Sequence, residues 1–318
     1  MTGGRAGGSR VRTVFIGSGG FGVEALRRLA EHADIDLVGV VTAPPRPAGR
    51  GRHLTPTAIE TAARALGVLE ILVPERLRTP DAIASVLGLD PGLAVLADYG
   101  QLVPPALLGL EHGALNLHPS LLPRHRGAVP IPSAILAGDP ETGVTLVRMD
   151  EGLDTGPIVA QRRVPLSGTE TAPALEESLA IVAADLLRES LPPWLLGELV
   201  AHPQPVVGAT MTRPLRREDG RLDPLRPAVE LERQVRAYQP WPGSYMDTAD
   251  GRLVVWVASV GAAADRPAGT FGPRGLSTAY GELLLHEVQP AGGPRMPWDA
   301  FVRGRPGIAG SAALASDS

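Results

Sequence analysis

Asn116 and His118 sit on either side of Leu117 in Ala114-Leu115-Asn116-Leu117-His118, an alternating run that reads as a short strand. Side chains on a strand alternate faces, so the amide and the imidazole point the same way. Pro119 and Pro123 stop the strand and stiffen an exposed turn behind it. A helix-like patch from Ala128 to Ala137 and a β-branched strand from Thr142 to Met149 lead to a second loop, Asp150-Glu151-Gly152-Leu153-Asp154-Thr155-Gly156. An asparagine, a histidine and a carboxylate meeting at one sheet edge suit attack on a carbonyl carbon. Histidine takes a proton from an amine and returns it to a leaving nitrogen, because its pKa lies near neutrality. A nearby carboxylate orients the ring and favours the imidazolium. The asparagine amide donates to the oxyanion that forms. The chain has no cysteine and no serine in an elbow motif, so direct transfer is favoured over a covalent enzyme intermediate. Asn-x-His on one strand face is also a common structural pair, and spacing does not choose Asp154 over Asp150 or Glu151. The other histidines (His32, His53, His112, His125, His202, His286) show no metal-ligand spacing, so no metal is expected.

The elements around this stretch alternate. Val11 to Ile16 is an apolar strand, followed by Gly17-Ser18-Gly19-Gly20-Phe21-Gly22 and a helical pattern through Val23, Leu26, Leu29 and Ala30. This has the form of a dinucleotide fingerprint, but no acid from Leu37 through Ile59 is available to hold a ribose. The glycines then serve a tight strand-to-helix turn. Leu37 to Thr42, Leu69 to Val73, Leu93 to Ala97 and Pro157 to Leu166 read as further strands. Thr55-Pro56 opens a helix to about Leu66, a second helix starts at Thr79, and a long one covers Thr169 to Leu191. The expected fold is α/β, a doubly wound and mainly parallel sheet whose site lies beyond the carboxyl ends of its strands. After Pro192-Pro193-Trp194 the composition changes. Short β-like runs at 252–260, 268–271 and 282–288 suggest a small β-barrel or a similar all-β domain.

Composition narrows the class. The 318 residues allow two domains, each with its own core. No apolar run approaches the roughly 20 residues that span a bilayer, and the opening MTGGRAGGSRVR lacks a secretory core, so a cytoplasmic location is expected. The net charge of −4 argues against indiscriminate coating of nucleic acid. All 30 basic residues are arginine, so every cationic contact is made by a planar, permanently charged guanidinium. Three of them, Arg46, Arg50 and Arg52, share a loop of prolines and glycines with no neighbouring carboxylate. That loop reads equally as a solvated surface or as a contact for phosphates. Residues 214–318 hold 12 arginines against 12 acids, so the second domain has no basic bias.

The central stretch resembles the formyltransferases that use 10-formyltetrahydrofolate. The resemblance rests on Asn116-Leu117-His118, Ser120-Leu121-Leu122-Pro123, Arg126-Gly127-Ala128, Gly143-Val144-Thr145 and Asp150 to Gly156, which all fall in family order. Arg46 to Gly51, Tyr99-Gly100, Pro240-Trp241-Pro242-Gly243 and Gln289-Pro290-Ala291-Gly292 extend it over roughly residues 11–306, and more narrowly towards the branch that acts on methionyl initiator tRNA. The resemblance implies a Rossmann-like formyltransferase domain followed by a smaller C-terminal β-barrel (OB-like) domain that helps to grip tRNA. It implies a catalytic trio of Asn116, His118 and Asp154, with transfer of the formyl group to the methionyl α-amine for translation initiation. Tyr99, Gly100, Ser120, Leu121, Leu122, Pro123 and Asp150 would border the folate, and Arg46, Arg50 and Arg52 would meet the tRNA acceptor end. The expected organisation is a disordered lead-in at 1–10, a catalytic domain at 11–193, a linker at 194–213, a tRNA-binding domain at 214–306 and a disordered tail at 307–318, in a monomer.

Some positions depart from the family pattern. Gly17-Ser18-Gly19-Gly20 stands where a Gly-x-Pro turn is common, Ala43-Pro44-Pro45 where Gln-Pro-Asp is usual, and Asp98 where a small residue precedes Tyr99. Pro132 and Arg52 replace a polar residue and a lysine. A sugar-amine formyltransferase or a formyltetrahydrofolate hydrolase would share the trio, so the arginine loop and the second domain are what favour tRNA. A tRNA-binding protein without turnover would not need the trio.

Overall fold

The computed structural model describes residues 10–48, 53–262 and 265–314. Arg50, Arg52, most of the lead-in and the last four residues of the tail lie outside the described residues. The chain forms two compact units. One gathers the described residues up to Pro130, Glu141–Pro165 and Glu176–Thr212; the other gathers Ile131–Pro140, Leu166–Leu175 and the described residues from Arg213 onward.

The elements run β1 (Val11–Gly17), α1 (Val23–Ala30), β2 (Ile35–Val41), β3 (Arg46–Ala48), β4 (His53–Thr55), α2 (Ala58–Ala65), β5 (Ile71–Leu72), α3 (Pro80–Leu87), β6 (Leu93–Ala97), α4 (Pro105–Leu108), β7 (Ala114–His118), β8 (Arg126–Gly127), α5 (Pro130–Ala137), β9 (Glu141–Arg148), β10 (Ile158–Pro165), α6 (Ala172–Leu195) and β11 (Met211–Thr212). The first unit is built on a seven-stranded sheet in the order β10-β9-β7-β6-β1-β2-β5. The five strands from β7 to β5 are parallel, and β9 and β10 run antiparallel at one edge. Central β1 is apolar on both faces because helices cover both: Val14, Phe15 and Ile16 are fully buried. In β7, Asn116 pairs with Val147 and His118 with Thr145 of β9, so the sheet's change of direction falls beside the candidate residues.

The Gly17–Gly22 turn explains itself by close approach. A Cβ on Gly17 would come within 2.5 Å of the Ala97 carbonyl oxygen, and one on Gly22 within 3.1 Å of the Ala97 side chain. Close approach of this turn to Ala97 at the end of β6 requires these glycines without any bound nucleotide.

Two expectations shift. Helix α2 is capped by Thr57, which accepts from Glu60 N at 2.9 Å, because Thr55 is taken into β4 by pairing with Arg46. Helix α6 runs through Pro192 and Pro193 to Leu195 instead of stopping at Leu191. A proline strips a donor from the carbonyl four residues earlier. Here that carbonyl, Arg188 O, has His32 Nε2 at 3.4 Å in its place.

The segment 194–213, expected to be a linker, packs into the first unit. Ile158 and His202 exchange backbone hydrogen bonds, and β11 pairs in parallel with β8. In the second unit, α7 (Ala228–Ala237), β12 (Ser244–Thr248), β13 (Gly251–Gly261), β14 (Gly275–Ser277), β15 (Glu282–Pro290), β16 (Met296–Pro297) and α8 (Trp298–Gly304) follow. The sheet is antiparallel, β12-β13-β15-β14 with β16 on β15, and β13 carries two register shifts that bend it. Its core stacks Trp298 on Phe271 and Phe301. Residues 307–314, expected to be disordered, are ordered: Ile308 is buried in this core, and Phe271 N, Ala313 N and Leu314 N bond across to Ser311, Gly269 and Asp247 carbonyls. The apolar Ile308 is what ties this segment down. Among the described residues no helix is long and apolar enough to cross a membrane.

Candidate active site

Asn116, His118 and Asp154 come together at the carboxyl end of β7. His118 is 4% exposed, and its Nε2 stands 2.9 Å from the His125 carbonyl oxygen. A carbonyl oxygen only accepts, so Nε2 carries the hydrogen and the neutral ring keeps its lone pair on Nδ1. Nδ1 faces Asp154 Oδ2 at 3.6 Å. Burial pushes the imidazole below its ordinary pKa, against the Asp154 carboxylate and the His125 carbonyl, which both favour the charged ring. Burial thus favours the neutral form of the ring, with the Asp154 carboxyl group beside it. Asn116 Nδ2 lies 3.5 Å from Asp154 Oδ1, a loose bond that leaves the half-buried amide free to serve another acceptor.

Asp154 is held by backbone. Gly127 N donates to its Oδ2 at 2.8 Å, and its φ of +54° places it in the left-handed region. Asp150 does a different job. Its Oδ1 accepts from Gly152 N at 3.0 Å and Thr155 Oγ1 at 2.8 Å, which folds the loop on itself. The structure therefore brings Asp154, not Asp150, to the histidine.

The Ser120–Pro123 turn frames the site mostly from within. Ser120 is fully buried and donates to the Arg124 carbonyl at 2.6 Å. Thr145 Oγ1 donates to the Ser120 carbonyl at 2.7 Å and accepts from Leu122 N, while Gln161 bonds the Leu122 carbonyl. Ser120 and Leu122 thus set the shape of the turn, and Leu121 and Pro123 are its half-exposed members.

Tyr99 and Gly100 lie apart from the trio, on a cavity of about 460 Å³ with Ser18, Gly19, Arg46, Thr57 and Asp98 among its walls. Burial pushes the Tyr99 hydroxyl up to about 12, and among the described residues this oxygen has no hydrogen-bond partner. Asp98 leans onto the glycine turn: a Cβ on Gly19 would meet its Oδ2 at 1.4 Å. Desolvation raises its pKa, and raises that of neighbouring Glu176. The fingerprint turn is therefore lined by carboxylates of the chain itself, which are repulsive to a phosphate. Arg46, exposed at the start of β3, is the member of the arginine loop that the structure describes.

Nothing in the sequence pattern marks the residues from the end of α6 through β11 that brace the site. Thr210 Oγ1 accepts from His125 N at 2.8 Å, and Arg126 N donates to the Thr210 carbonyl at 2.9 Å. Thr212 Oγ1 accepts from Val129 N and donates to the Arg126 carbonyl. Gln204 bonds Arg126 and the Asp154 loop at once. Their partners are mostly backbone groups, which leave no mark in side-chain patterns.

The fold and site define a group-transfer enzyme acting at a carbonyl, and sequence comparison agrees. The chain belongs to the formyl transferase family: the family's model matches residues 11–191, and that of the formyl transferase C-terminal domain matches residues 214–306. It is 43% identical over 302 residues to the methionyl-tRNA formyltransferase of Roseiflexus sp. (strain RS-1), covering 92% of each chain. It is 44% identical over 303 residues to the methionyl-tRNA formyltransferase of Halorhodospira halophila, covering 92% of this chain and 96% of that one. Among solved structures, HypX from Aquifex aeolicus in complex with tetrahydrofolic acid shares the fold at a TM-score of 0.62 and 16% identity. That match covers 92% of this chain and 47% of HypX, so the chain spans about half of its length.

Proposed function

We propose that the protein transfers the formyl group of 10-formyltetrahydrofolate to the α-amine of methionyl initiator tRNA, yielding formylmethionyl-tRNA for translation initiation. The carrying observation is that Asn116 and His118 each approach the Asp154 carboxyl group, at 3.5 Å and 3.6 Å, in this family's fold. The acceptor follows from identity of 41–44% to proteins named methionyl-tRNA formyltransferase, spread over both domains. The reading extends to a cytoplasmic monomer.

The folate supplies an activated formyl carbonyl, and the residues present fit such a donor. They offer an amide donor, a neutral imidazole and a recessed cavity carrying a buried hydroxyl without a partner among the described residues. His118 Nδ1 accepts the proton of the attacking amine, since Nε2 is occupied by the His125 carbonyl. The imidazolium so formed is stabilised by Asp154, whose charge is too close to lose to solvent. His118 then returns the proton to the leaving nitrogen, so the net reaction consumes none. Asn116 Nδ2 turns from Asp154 to the developing oxyanion. Leu121, Pro123, Tyr99 and Gly100 would border the folate. Ser120, Leu122 and Asp150 would shape the walls rather than touch it. Arg46, with Arg50 and Arg52, would bind acceptor-stem phosphates.

The test is a transfer assay with 10-formyltetrahydrofolate and charged initiator tRNA, with uncharged tRNA and buffer as controls. Formylmethionine that appears only with charged tRNA supports the reading. Tetrahydrofolate release without formylated tRNA reassigns the acceptor to water or another amine.

A further inference from the structure

We propose that Gln204 is a positioning residue that sets the Asp154 carboxylate against His118. Its Nε2 donates to the carbonyls of Asp154 and Gly156, both at 2.8 Å. Its Oε1 accepts from Arg126 Nε at 3.1 Å and Nη2 at 2.6 Å. One side chain thereby joins the two loops that build the site. The 150–156 loop carries Asp154; the 125–127 loop gives the His125 carbonyl to His118 and the Gly127 N–H to Asp154.

The demand for such a brace is local. At φ +54° Asp154 sits in the left-handed region that non-glycine residues rarely adopt, a conformation that persists only where its surroundings impose it. Gln204 grips the carbonyl of Asp154 itself and that of the second residue after it, fixing the peptides on which the carboxylate rides. The amide is also saturated: two hydrogens meet two carbonyls, and the oxygen meets a two-pronged guanidinium. Glutamate cannot donate to the carbonyls, and asparagine is a methylene too short. The bonds of Gln204 go to Arg126 and to the Asp154 and Gly156 carbonyls, so its effect passes through Asp154.

This inference rests on the trio reading, and the experiment separates the two. Formyl transfer by the full-length enzyme is measured against pH for Gln204→Glu, Asp154→Asn and the double variant. Gln204→Glu keeps the size and the Arg126 pairing but turns an oxygen onto two carbonyl oxygens. The expected result is a kcat loss of about 30- to 100-fold with both KM values within about threefold. The acid limb of the pH profile should move to lower pH, because an imidazolium that loses its carboxylate is less stable. In the Asp154→Asn background the same substitution should cost less than about threefold, since the residue it positions is already neutral. An equal loss in both backgrounds, or an unmoved acid limb, overturns the proposal. Gln204→Met, which removes the bonds without adding charge, is read in the same cycle if the glutamate variant does not fold. Failure of the trio would show elsewhere, as turnover retained by His118→Ala.

Discussion

The backbone N–H of Gly127 donates to Asp154 Oδ2 at 2.8 Å, and that same oxygen stands 3.6 Å from His118 Nδ1. A peptide group thus aims the carboxylate at the imidazole. Gly127 has φ +102°, and a Cβ there would lie 2.5 Å from the Thr212 carbonyl oxygen. Gly127→Ala must therefore move this peptide. We expect transfer to fall by about a hundredfold, with folate affinity changed by much less, since misplacement by an ångström is enough for such a loss. Single-turnover rates beside folate titration check this.

Removing the imidazole should be more severe. His118→Ala is expected to lower kcat by about a thousandfold or more, within the range for general acid–base groups. The fold should survive, as judged by circular dichroism and a cooperative thermal transition.

The same histidine links stability to pH. Burial holds its folded pKa below the ordinary 6.5, so as pH falls the unfolded chain takes up the proton first. Its contribution to stability is whole above the unfolded value and is lost as pH falls through the folded one. Urea midpoints at about pH 8 and about pH 5.5 should differ less for His118→Leu than for the native chain.

The arginine loop predicts a salt effect. Replacing Arg46, Arg50 and Arg52 by alanine should weaken tRNA binding and flatten its dependence on salt, by a slope of roughly 0.7–0.9 for each phosphate that an arginine no longer neutralises. Folate affinity should hold. Unchanged tRNA affinity would return the loop to the role of a solvated surface.

In the second unit, Glu282 is 1% exposed and meets Arg266 at 2.5 Å and Arg274 at 3.2 Å. Both guanidiniums stay partly in solvent, so removing the carboxylate strands neither completely. Glu282→Ala should cost about 1–3 kcal/mol, visible as a lower unfolding midpoint of the C-terminal domain.

Much of this protein is local enough to read from the chain alone. Alternation in 114–118 puts Asn116 and His118 on one face, and apolar runs between glycine and proline breaks mark the strands of the parallel sheet. The absence of an acid after β2 and the crowding at Gly17 agree in giving the glycine turn a packing role. These properties depend on neighbours a few residues away, and a period is enough to show them.

Tertiary structure decided the rest, where contacts join distant segments through the backbone. The choice of Asp154 over Asp150 rests on Gly127 N and on the turn that Asp150 closes with Thr155. The choice of Nδ1 rests on the carbonyl of His125, which any residue type would offer. The mixed composition of segment 194–213 reads as a linker, yet Gln204, Thr210 and Thr212 bond across 48 to 86 positions to the loops of the site. Where helix α6 crosses Pro192, the carbonyl left without its donor, Arg188 O, is met by His32, more than 150 positions away. Residue types state what chemistry is available; which atoms perform it depends on carbonyls and N–H groups that nearly every residue carries, and only the folded chain assigns them.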